Sequence, residues 1–370
     1  MNTDPPALDL SQIRVLPLSQ RRSLSRVEEI LVDPDTAPLP GPESVLAAIR
    51  ECARRIREAR ARTASVILVF GAHLLRNGAA LILERLMARK WITHLATNGA
   101  CLIHDWEYSF LGRSTESVRE NVAAGTFGAW EETGLCLHLA LLAGGVRGDG
   151  YGRALGRFIA EEGTTLPSVA SLEDAVRAEP AHPLAAARCD LLRAMIEHGL
   201  AAGSCPVPHP WKQVSLAGQA YCHQVPLTVH PGIGYDIISN HPMFNGAVIG
   251  RAAALDYRRF AAAVEHLDQG VVMSIGSAIM GPQVFEKSLS FVNNLRLQQH
   301  RPIVQGHRIF VVDLQEGGNW DWTTGEPPKT NPAYYLRFCK SYARMGGAMQ
   351  YVCCDNLAFI HHLYHQLAPP

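Results

Sequence analysis

The chain has 370 residues, 47% of them apolar and 18% charged, which is enough to bury the core of one large or two smaller globular domains. The 34 basic and 34 acidic residues balance, so no net charge favours nucleic acid or an anionic membrane as a partner. The nine scattered cysteines contain no CxxC pair and the N-terminus has no signal-peptide pattern, so we expect a cytoplasmic protein with free thiols. No apolar run reaches the ~18 residues typical of a membrane span.

The proline-punctuated residues 1–42 are predicted to form an N-terminal arm, and residues 43–370 a single domain. A long amphipathic helix is expected over residues 43–62. The continuously apolar residues 66–70 end at Gly71 and predict a strand buried on both faces, followed by a helix around residues 81–87. A second buried strand is predicted over residues 92–96.

Later segments repeat the same alternation. Three more strands are predicted, at residues 227–229, 270–276 and 308–313. Helical segments are predicted around them, at residues 114–122, 151–203, 256–267, 283–297 and 357–367, whereas residues 135–145 are small and apolar with no predicted element. Strands that alternate with helices of this length predict an α/β fold, a Rossmann-like parallel sheet flanked by helices.

Small and polar residues follow the predicted strands, at the sheet edge where open α/β folds bind ligands. The second strand runs into Thr97, Asn98, Gly99 and Ala100, whose small side chains let a backbone approach a phosphate or ribose closely. Beyond them come His104, Asp105 and Glu107. The competing interpretation, a polar loop with a helix cap, has about equal weight from the local pattern alone.

Two further strand ends carry comparable residues. Gly276 and Ser277 follow residues 270–275 and suit contact with a nucleotide backbone or ribose. Asp313 ends the next strand, where its carboxylate would accept ribose hydroxyls or simply serve as a turn residue. Asp236, in the glycine-bearing segment 230–238, would hold a cationic amine or cap a helix.

Histidine and cysteine patterns raise the question of a metal or a nucleophile. His361 and His365 lie four residues apart on the predicted C-terminal helix, but no HExxH pattern supplies further ligands, so a surface or interface role is favoured. The pairs Cys205/His209 and Cys222/His223 have no convincing partner or spacing. No metal site is predicted. The aromatic loop 317–325 is predicted to be functional rather than disordered.

The order of these motifs resembles that of the deoxyhypusine synthase family between about residues 66 and 325. The turn 70–78 is similar to the family's TSN-x-x-SSG turn, and residues 97–100 stand where the family has the TAGG segment that contacts NAD. Residues 232–236 resemble its DGSLGD segment, whose last aspartate faces the polyamine. Gly276 to Ala278 replace a glycine triplet, and residues 316–325 match the EFDGSDSG loop.

A second resemblance is confined to one segment. His104, Asp105, Trp106 and Glu107, with the Phe110, Gly112 and Ser114 that follow, are similar to the HDIE-x-x-LFG-x-S motif of the NAD-containing ornithine cyclodeaminase and arginine dihydrolase family. Both families use bound NAD to oxidise a carbon next to nitrogen. The shared chemistry that the resemblance implies is conversion of an amine to an imine.

Departures from the first family argue against a true deoxyhypusine synthase. Residues 280–283 replace a Lys-His-His segment, and Pro231 replaces an aspartate. Of the five lysines, Lys329 comes too early for the family's imine-forming lysine and Lys340 somewhat late, which leaves Lys340 as the candidate nucleophile.

Together these features predict an NAD-dependent transferase or oxidoreductase that oxidises a small amine or polyamine to an imine, followed by transfer, hydrolysis or cyclisation. The strand-end positions and the resemblances together assign Gly71, residues 97–100, Asp105, Gly276, Ser277 and Asp313 to NAD, and His104, Glu107, Asp236 and Lys340 to catalysis. It also implies a homodimer or homotetramer, with the arm crossing to a neighbour. The alternatives are a sirtuin-like NAD-consuming transferase or hydrolase and a non-catalytic nucleotide-binding regulator.

Overall fold

Ten β-strands and fifteen α-helices make up residues 7–368, the part of the chain that the computed structural model describes. The strands β1 to β10 are, in order, Ser25–Arg26, Val66–Phe70, His94–Thr97, Arg113–Ser114, Gly163–Leu166, Gly203–Pro206, Leu227–Val229, Val271–Ile275, Arg308–Asp313 and Ala348–Cys353. The helices α1 to α15 are Val27–Ile30, Glu43–Ala61, Ala72–Arg76, Ala80–Ala88, Gly99–Leu111, Val118–Ala124, Glu131–Gly145, Tyr151–Ala160, Val169–Ala178, Ala185–His198, Leu216–Cys222, Gly246–Glu265, Met280–Gln298, Arg337–Ala343 and Asn356–Leu367.

Six of the strands form one parallel sheet in the order β10-β9-β8-β2-β3-β7. Numbered by their place in the chain, these strands lie in the order 3-2-1-4-5-6 when read from β7. This is the doubly wound, Rossmann-type order, in which the chain reverses direction across the sheet between its first and fourth strands. The predicted fold class is therefore confirmed.

Both faces of this sheet are covered, because alternate side chains of the same strand enter different clusters. In β2, Leu68 and Phe70 pack with the helices α2, α4, α5 and α15, whereas Ile67 and Val69 pack with α12, α13 and α14. All five residues of β2 are buried. A run that is apolar at every position is what a strand covered on both faces requires.

Most predicted elements are present, with three differences. The second sheet strand begins at His94 rather than at residue 92. The segment 151–203, predicted to be helical, contributes β5, which pairs with β6 as an antiparallel hairpin. The helix α7 and the edge strand β10 were not predicted, and the residues of β10 alternate between buried and partly or fully exposed.

The described part of the arm packs against its own chain. Strand β1 pairs antiparallel with β4, which follows α5. Leu18 and Arg21 are buried, and the carbonyls of Pro34, Thr36 and Leu39 accept hydrogen bonds from imidazoles of α15. Residues 16–39 of the arm therefore contact the domain of their own chain.

Within residues 7–368, no helix combines the length and the apolar character needed to cross a bilayer.

The contact between Gly71 and Gly276 predicts a stability effect. A Cβ on Gly71 would lie 2.3 Å from the Gly276 carbonyl oxygen, a backbone atom that cannot yield cheaply. We expect Gly71→Ala to lower the free energy of unfolding by about 1–3 kcal/mol, measured by urea denaturation.

Gly250, inside α12, is the matched control because a Cβ there would meet nothing within 4 Å. Gly250→Ala should raise the stability by about 0.5–1 kcal/mol through its effect on chain entropy. Equal effects of the two substitutions would contradict the close contact.

Candidate functional site

A cavity of about 570 Å³ opens at the point where the strand order reverses. Its floor is formed by Gly71 and Gly276, which directly follow β2 and β8, two strands paired in register from Val66 to Phe70. Gly276 has a left-handed φ of 58°, which is why glycine suits this position. The cavity lies outside the carboxyl ends of the strands at the topological switch point, where doubly wound sheets bind nucleotides.

The helix α13 begins at this cavity. Met280 and Gln283 from its first turn line the space, together with Ser277 from the preceding turn. Ser277 Oγ accepts from the N–H of Gly281 at 3.1 Å, but the N-cap residue Ile279 provides no side-chain cap. The amino end of a 19-residue helix carries partial positive charge, and it supplies this cavity, which has no Lys or Arg in its lining, with an anion-binding edge.

The amino end of α5, by contrast, is already occupied. Asn98 caps the helix by accepting from the N–H of Cys101, and the carboxylate of Asp236 lies against Gly99, where a Cβ would fall 2.0 Å from its Oδ2. Thr97 is buried and donates to the carbonyl of Phe70. Of the four predicted NAD contacts at residues 97–100, only Asn98 lines the 570 Å³ cavity.

Asp236 is a buried acid with one free oxygen. Its Oδ2 accepts from the N–H of Gly232 at 3.0 Å, and the N–H of Ala100 also donates to the carboxylate. Oδ1 is buried and has no hydrogen-bond partner among the described residues. Burial raises the pKa of Asp236 to about 6, against the opposing effect of the two backbone donors. A cationic group placed against Oδ1 would satisfy it.

Asp105 has a structural role in this conformation. It is fully buried and accepts from Ser215 Oγ at 2.7 Å and from the N–H groups of Leu216 at 2.6 Å and Ala217 at 3.0 Å. It therefore caps α11 and does not line the cavity at the switch point.

His104 and Glu107 lie on the face of α5 that meets the arm. Ser114 Oγ donates to Glu107 Oε2 at 2.5 Å and contacts His104 Nδ1 at 2.7 Å. Glu107 Oε1 accepts from Arg21 Nη1 at 2.6 Å and from Thr133 Oγ1 at 3.0 Å. Because the Arg21 and Glu107 side chains are each 1% exposed, theirs is a buried ion pair between arm and domain.

The hydrogen bonds of Ser114 determine the tautomer of His104. The single hydroxyl proton of Ser114 goes to Glu107, so His104 Nδ1 must carry a proton and donate to Oγ. Burial lowers the pKa of His104 to about 4, which outweighs the opposing effect of Glu107, so the ring is neutral at pH 7. His104 Nε2 then carries a lone pair and can accept a hydrogen bond.

These residues line a second cavity of about 320 Å³, which we call the arm chamber: it is enclosed by α5, the arm and the segment 115–127, and lined by Arg21, Arg76, His104 and Glu107 among others. Tyr235 belongs to the lining of both the arm chamber and the 570 Å³ cavity. The two spaces are therefore neighbours that share Tyr235.

Two predicted site residues lie elsewhere. Asp313 ends β9, and its Oδ1 accepts from the N–H of Gln315 at 3.2 Å, as a turn residue does. Lys340 lies on α14 with its Nζ over the ring of Tyr334. Neither residue lines the arm chamber or the 570 Å³ cavity.

Two residues absent from the predicted site belong to it. Arg21 comes from the arm, where the sequence gives no hint of a partner. His230 directly follows β7 and lines the 570 Å³ cavity, and its backbone N–H bonds to the carbonyl of Thr97 at 2.8 Å. Burial lowers the pKa of His230 to about 4. Its place after a predicted strand was a signal that could have marked it.

The histidines of α15 contact the arm. His362 Nε2 and the carbonyl of Leu39 are 2.7 Å apart, and His365 Nε2 lies 3.0 Å from the carbonyl of Pro34. In residues 7–368, no three His, Cys, Asp or Glu side chains cluster as metal ligands would.

Comparison with known proteins gives weak similarities. No protein-family model matches the chain, and no curated protein matches it. Among solved structures, it is similar to a ternary complex of AgrE with ornithine and NAD+, with 14% identity, a TM-score of 0.42 and coverage of 90% of this chain and 34% of AgrE. A second is ArgZ, an arginine dihydrolase from the ornithine-ammonia cycle in cyanobacteria (12%, 0.41, 87% of this chain and 31% of ArgZ).

A third is a conserved putative LOR/SDH protein from Methanococcus maripaludis S2, at 14% identity and a TM-score of 0.39, with 96% of this chain and 76% of that protein covered. The chain spans about a third of the length of AgrE and ArgZ. At these TM-scores, neither substrate nor cofactor carries over to this chain.

The buried ion pair predicts a large stability effect. Arg21→Met would leave Glu107 buried without its charge partner, and should lower the free energy of unfolding by about 3–5 kcal/mol. The neighbouring Arg22, whose side chain is 85% exposed, is the matched control, and Arg22→Met should change stability by less than about 0.5 kcal/mol. The double variant Arg21→Met/Glu107→Gln should recover at least half of the loss, and no recovery would contradict the pairing.

The pKa of His104 predicts a pH effect. Because its pKa is lowered on folding, the stability that the neutral ring contributes is complete above the unfolded pKa near 6.5 and is lost as pH falls towards about 4. Between pH 7 and 5, His104→Gln should therefore lose less stability than the unaltered protein, by on the order of 1–2 kcal/mol. The loss is read from urea unfolding at both pH values; equal losses would place the ring in contact with solvent.

Proposed function

We propose that the protein is an NAD-dependent enzyme that oxidises a small amine to an imine. The observation that supports this most directly is the 570 Å³ cavity at the switch point of a sheet ordered 3-2-1-4-5-6, bounded by Gly71, Gly276 and the amino end of α13. A dinucleotide's pyrophosphate binds where it can approach a backbone without side chains and the positive end of a helix. This cavity provides both, at the position where doubly wound sheets bind nucleotides.

The residues around the cavity fit NAD in a specific way. Gly71 and Gly276 would lie beneath the dinucleotide, Ser277 and Asn98 would supply polar contacts, and α13 would face the phosphates. The proposal gives no NAD contact to Gly99 or Ala100, because Asp236 lies against that end of α5. When bound, the nicotinamide ring accepts a hydride from a carbon that bears nitrogen.

The chain's own groups would position the amine and manage its protons. Asp236 Oδ1 would hold the ammonium, since it is buried without a partner among the described residues and the adjacent Tyr235 lines both cavities. His104 Nε2 would accept a hydrogen bond from the amine N–H, because Nδ1 carries the ring proton and Nε2 keeps its lone pair. With its pKa lowered to about 4, the ring is too weak a base to keep the ammonium proton, which would pass to solvent before oxidation. Glu107 is engaged by Arg21, Thr133 and Ser114 and would orient His104 through Ser114.

The proposed oxidation removes one hydride and one proton from the amine and leaves an imine. Water can then add to the imine carbon and release ammonia and a carbonyl product. Alternatively, a second amine can add to that carbon and expel ammonia, and the carbon of the new imine then receives the returned hydride. The covalent role predicted for Lys340 gains no support from its position beside Tyr334.

Calorimetry with NAD tests the cofactor assignment. We expect one site per chain, and a loss of affinity of at least about tenfold in Ala278→Trp, because the exposed Ala278 lines the cavity and an indole would fill it. Leu297→Trp is the matched control, since Leu297 is exposed at the far end of α13. Absence of NAD binding to the unaltered protein, or equal binding by both variants, would overturn the assignment.

Product analysis tests the reaction class. Incubation with NAD and a panel of small amines should yield NADH, or, if the hydride is returned, an amine that carries deuterium at its carbon after the imine is trapped with borodeuteride. Free nicotinamide would instead identify an NAD-consuming transferase or hydrolase, and tight binding of NAD with neither product would identify a regulator.

A further inference from the structure

The arm chamber has an excess of cationic hydrogen-bond donors. Arg21 uses Nη1 for Glu107, but its Nη2 is buried and has no partner among the described residues. Arg76 lines the same chamber and forms no ion pair within residues 7–368. A buried guanidinium nitrogen without an acceptor is costly, so the chamber is incomplete as it stands.

The acids that line the chamber cannot satisfy these donors. Glu107 already accepts from Arg21 Nη1, Thr133 and Ser114. Glu116 accepts from the indole of Trp130 at 2.9 Å and from the N–H of Gly128 at 3.2 Å, and Asn121 also donates to it. With both carboxylates engaged, what remains unpaired is the Nη2 of Arg21 and the guanidinium of Arg76.

The chamber also offers one acceptor. His104 Nε2 carries a lone pair, because Nδ1 holds the ring proton that is donated to Ser114. A ligand that complements the chamber therefore has an oxyanion for the two arginines and an N–H group for the imidazole. Guanidinium groups bind carboxylates in a planar, two-pronged geometry, which makes a carboxylate the best match.

We propose that the arm chamber binds a carboxylate through Arg21 and Arg76, so that the amine oxidised by this protein is an amino acid rather than a polyamine. This inference rests on the proposed function for the identity of the reaction, but the carboxylate site itself is independent of it. It makes Arg21, from the N-terminal arm, a specificity-determining residue.

The site is tested by calorimetry with matched ligands that differ only in the carboxylate. L-Ornithine and L-lysine are compared with putrescine and cadaverine, and L-lysine also with its methyl ester, which keeps the α-amine but not the negative charge. Each is titrated into the protein with and without saturating NAD. We expect the amino acids to bind at least about tenfold more tightly than their esters and diamines, because a charge-assisted hydrogen bond is lost in each analogue.

Two variants separate the site from the fold. Arg76→Gln changes a half-buried residue that makes no ion pair among the described residues, and Arg21→Lys keeps the charge opposite Glu107 but removes the second donor of the guanidinium. Both should remain folded by thermal unfolding, and each should reduce the preference for the carboxylate at least about threefold. Arg22→Lys, at the exposed neighbour, should leave the preference unchanged.

The outcomes also distinguish this inference from the proposed function. Equal binding of amino acids and esters, an undiminished preference in both variants, or no binding of any amino acid would overturn the carboxylate site. If the preference is found but NAD does not bind, the carboxylate site stands and the proposed oxidation fails.

Discussion

The ion pair between Arg21 and Glu107 is the interaction on which the arm chamber depends. Two charges removed from water must compensate each other, so neither side chain can leave without stranding its partner. Glu107 is held further by Thr133 and Ser114, and through Ser114 it orients His104. The arm therefore lines the arm chamber together with α5, although it is not part of the central sheet.

The cavity at the switch point has a different origin. It exists because the connections that follow the two adjacent strands cross to opposite faces of the sheet at this point. No particular side chain is needed to form it. Its glycines keep β2 and β8 close at their carboxyl ends, which leaves the helix α13 aimed at the space above them. Tyr235 lines both this cavity and the arm chamber, so the two spaces are neighbours although they arise from different causes.

The central strands could be predicted because a strand covered on both faces must be apolar at every position. The edge strand β10 mixes two buried residues with partly and fully exposed ones, and such a sequence pattern could not be told from that of a loop. Among the site residues, too, some could be predicted from a local sequence pattern and others could not. Once His104 and Glu107 are placed on a helix, three residues apart, their shared face follows, and Asp105 must point elsewhere. Arg21 lies 86 residues from Glu107, and no local pattern connects them.

The imidazoles of α15 that hold the arm have a consequence for assembly. His362 and Leu39 are separated by 323 residues, so this part of the arm can dock only after nearly all of the described chain has left the ribosome. Strands β2 and β3 can pair much earlier. During synthesis, Arg21 can pair with Glu107 and β1 with β4 soon after those residues emerge. The carbonyls of Pro34, Thr36 and Leu39 gain their imidazole donors only when α15 has been made.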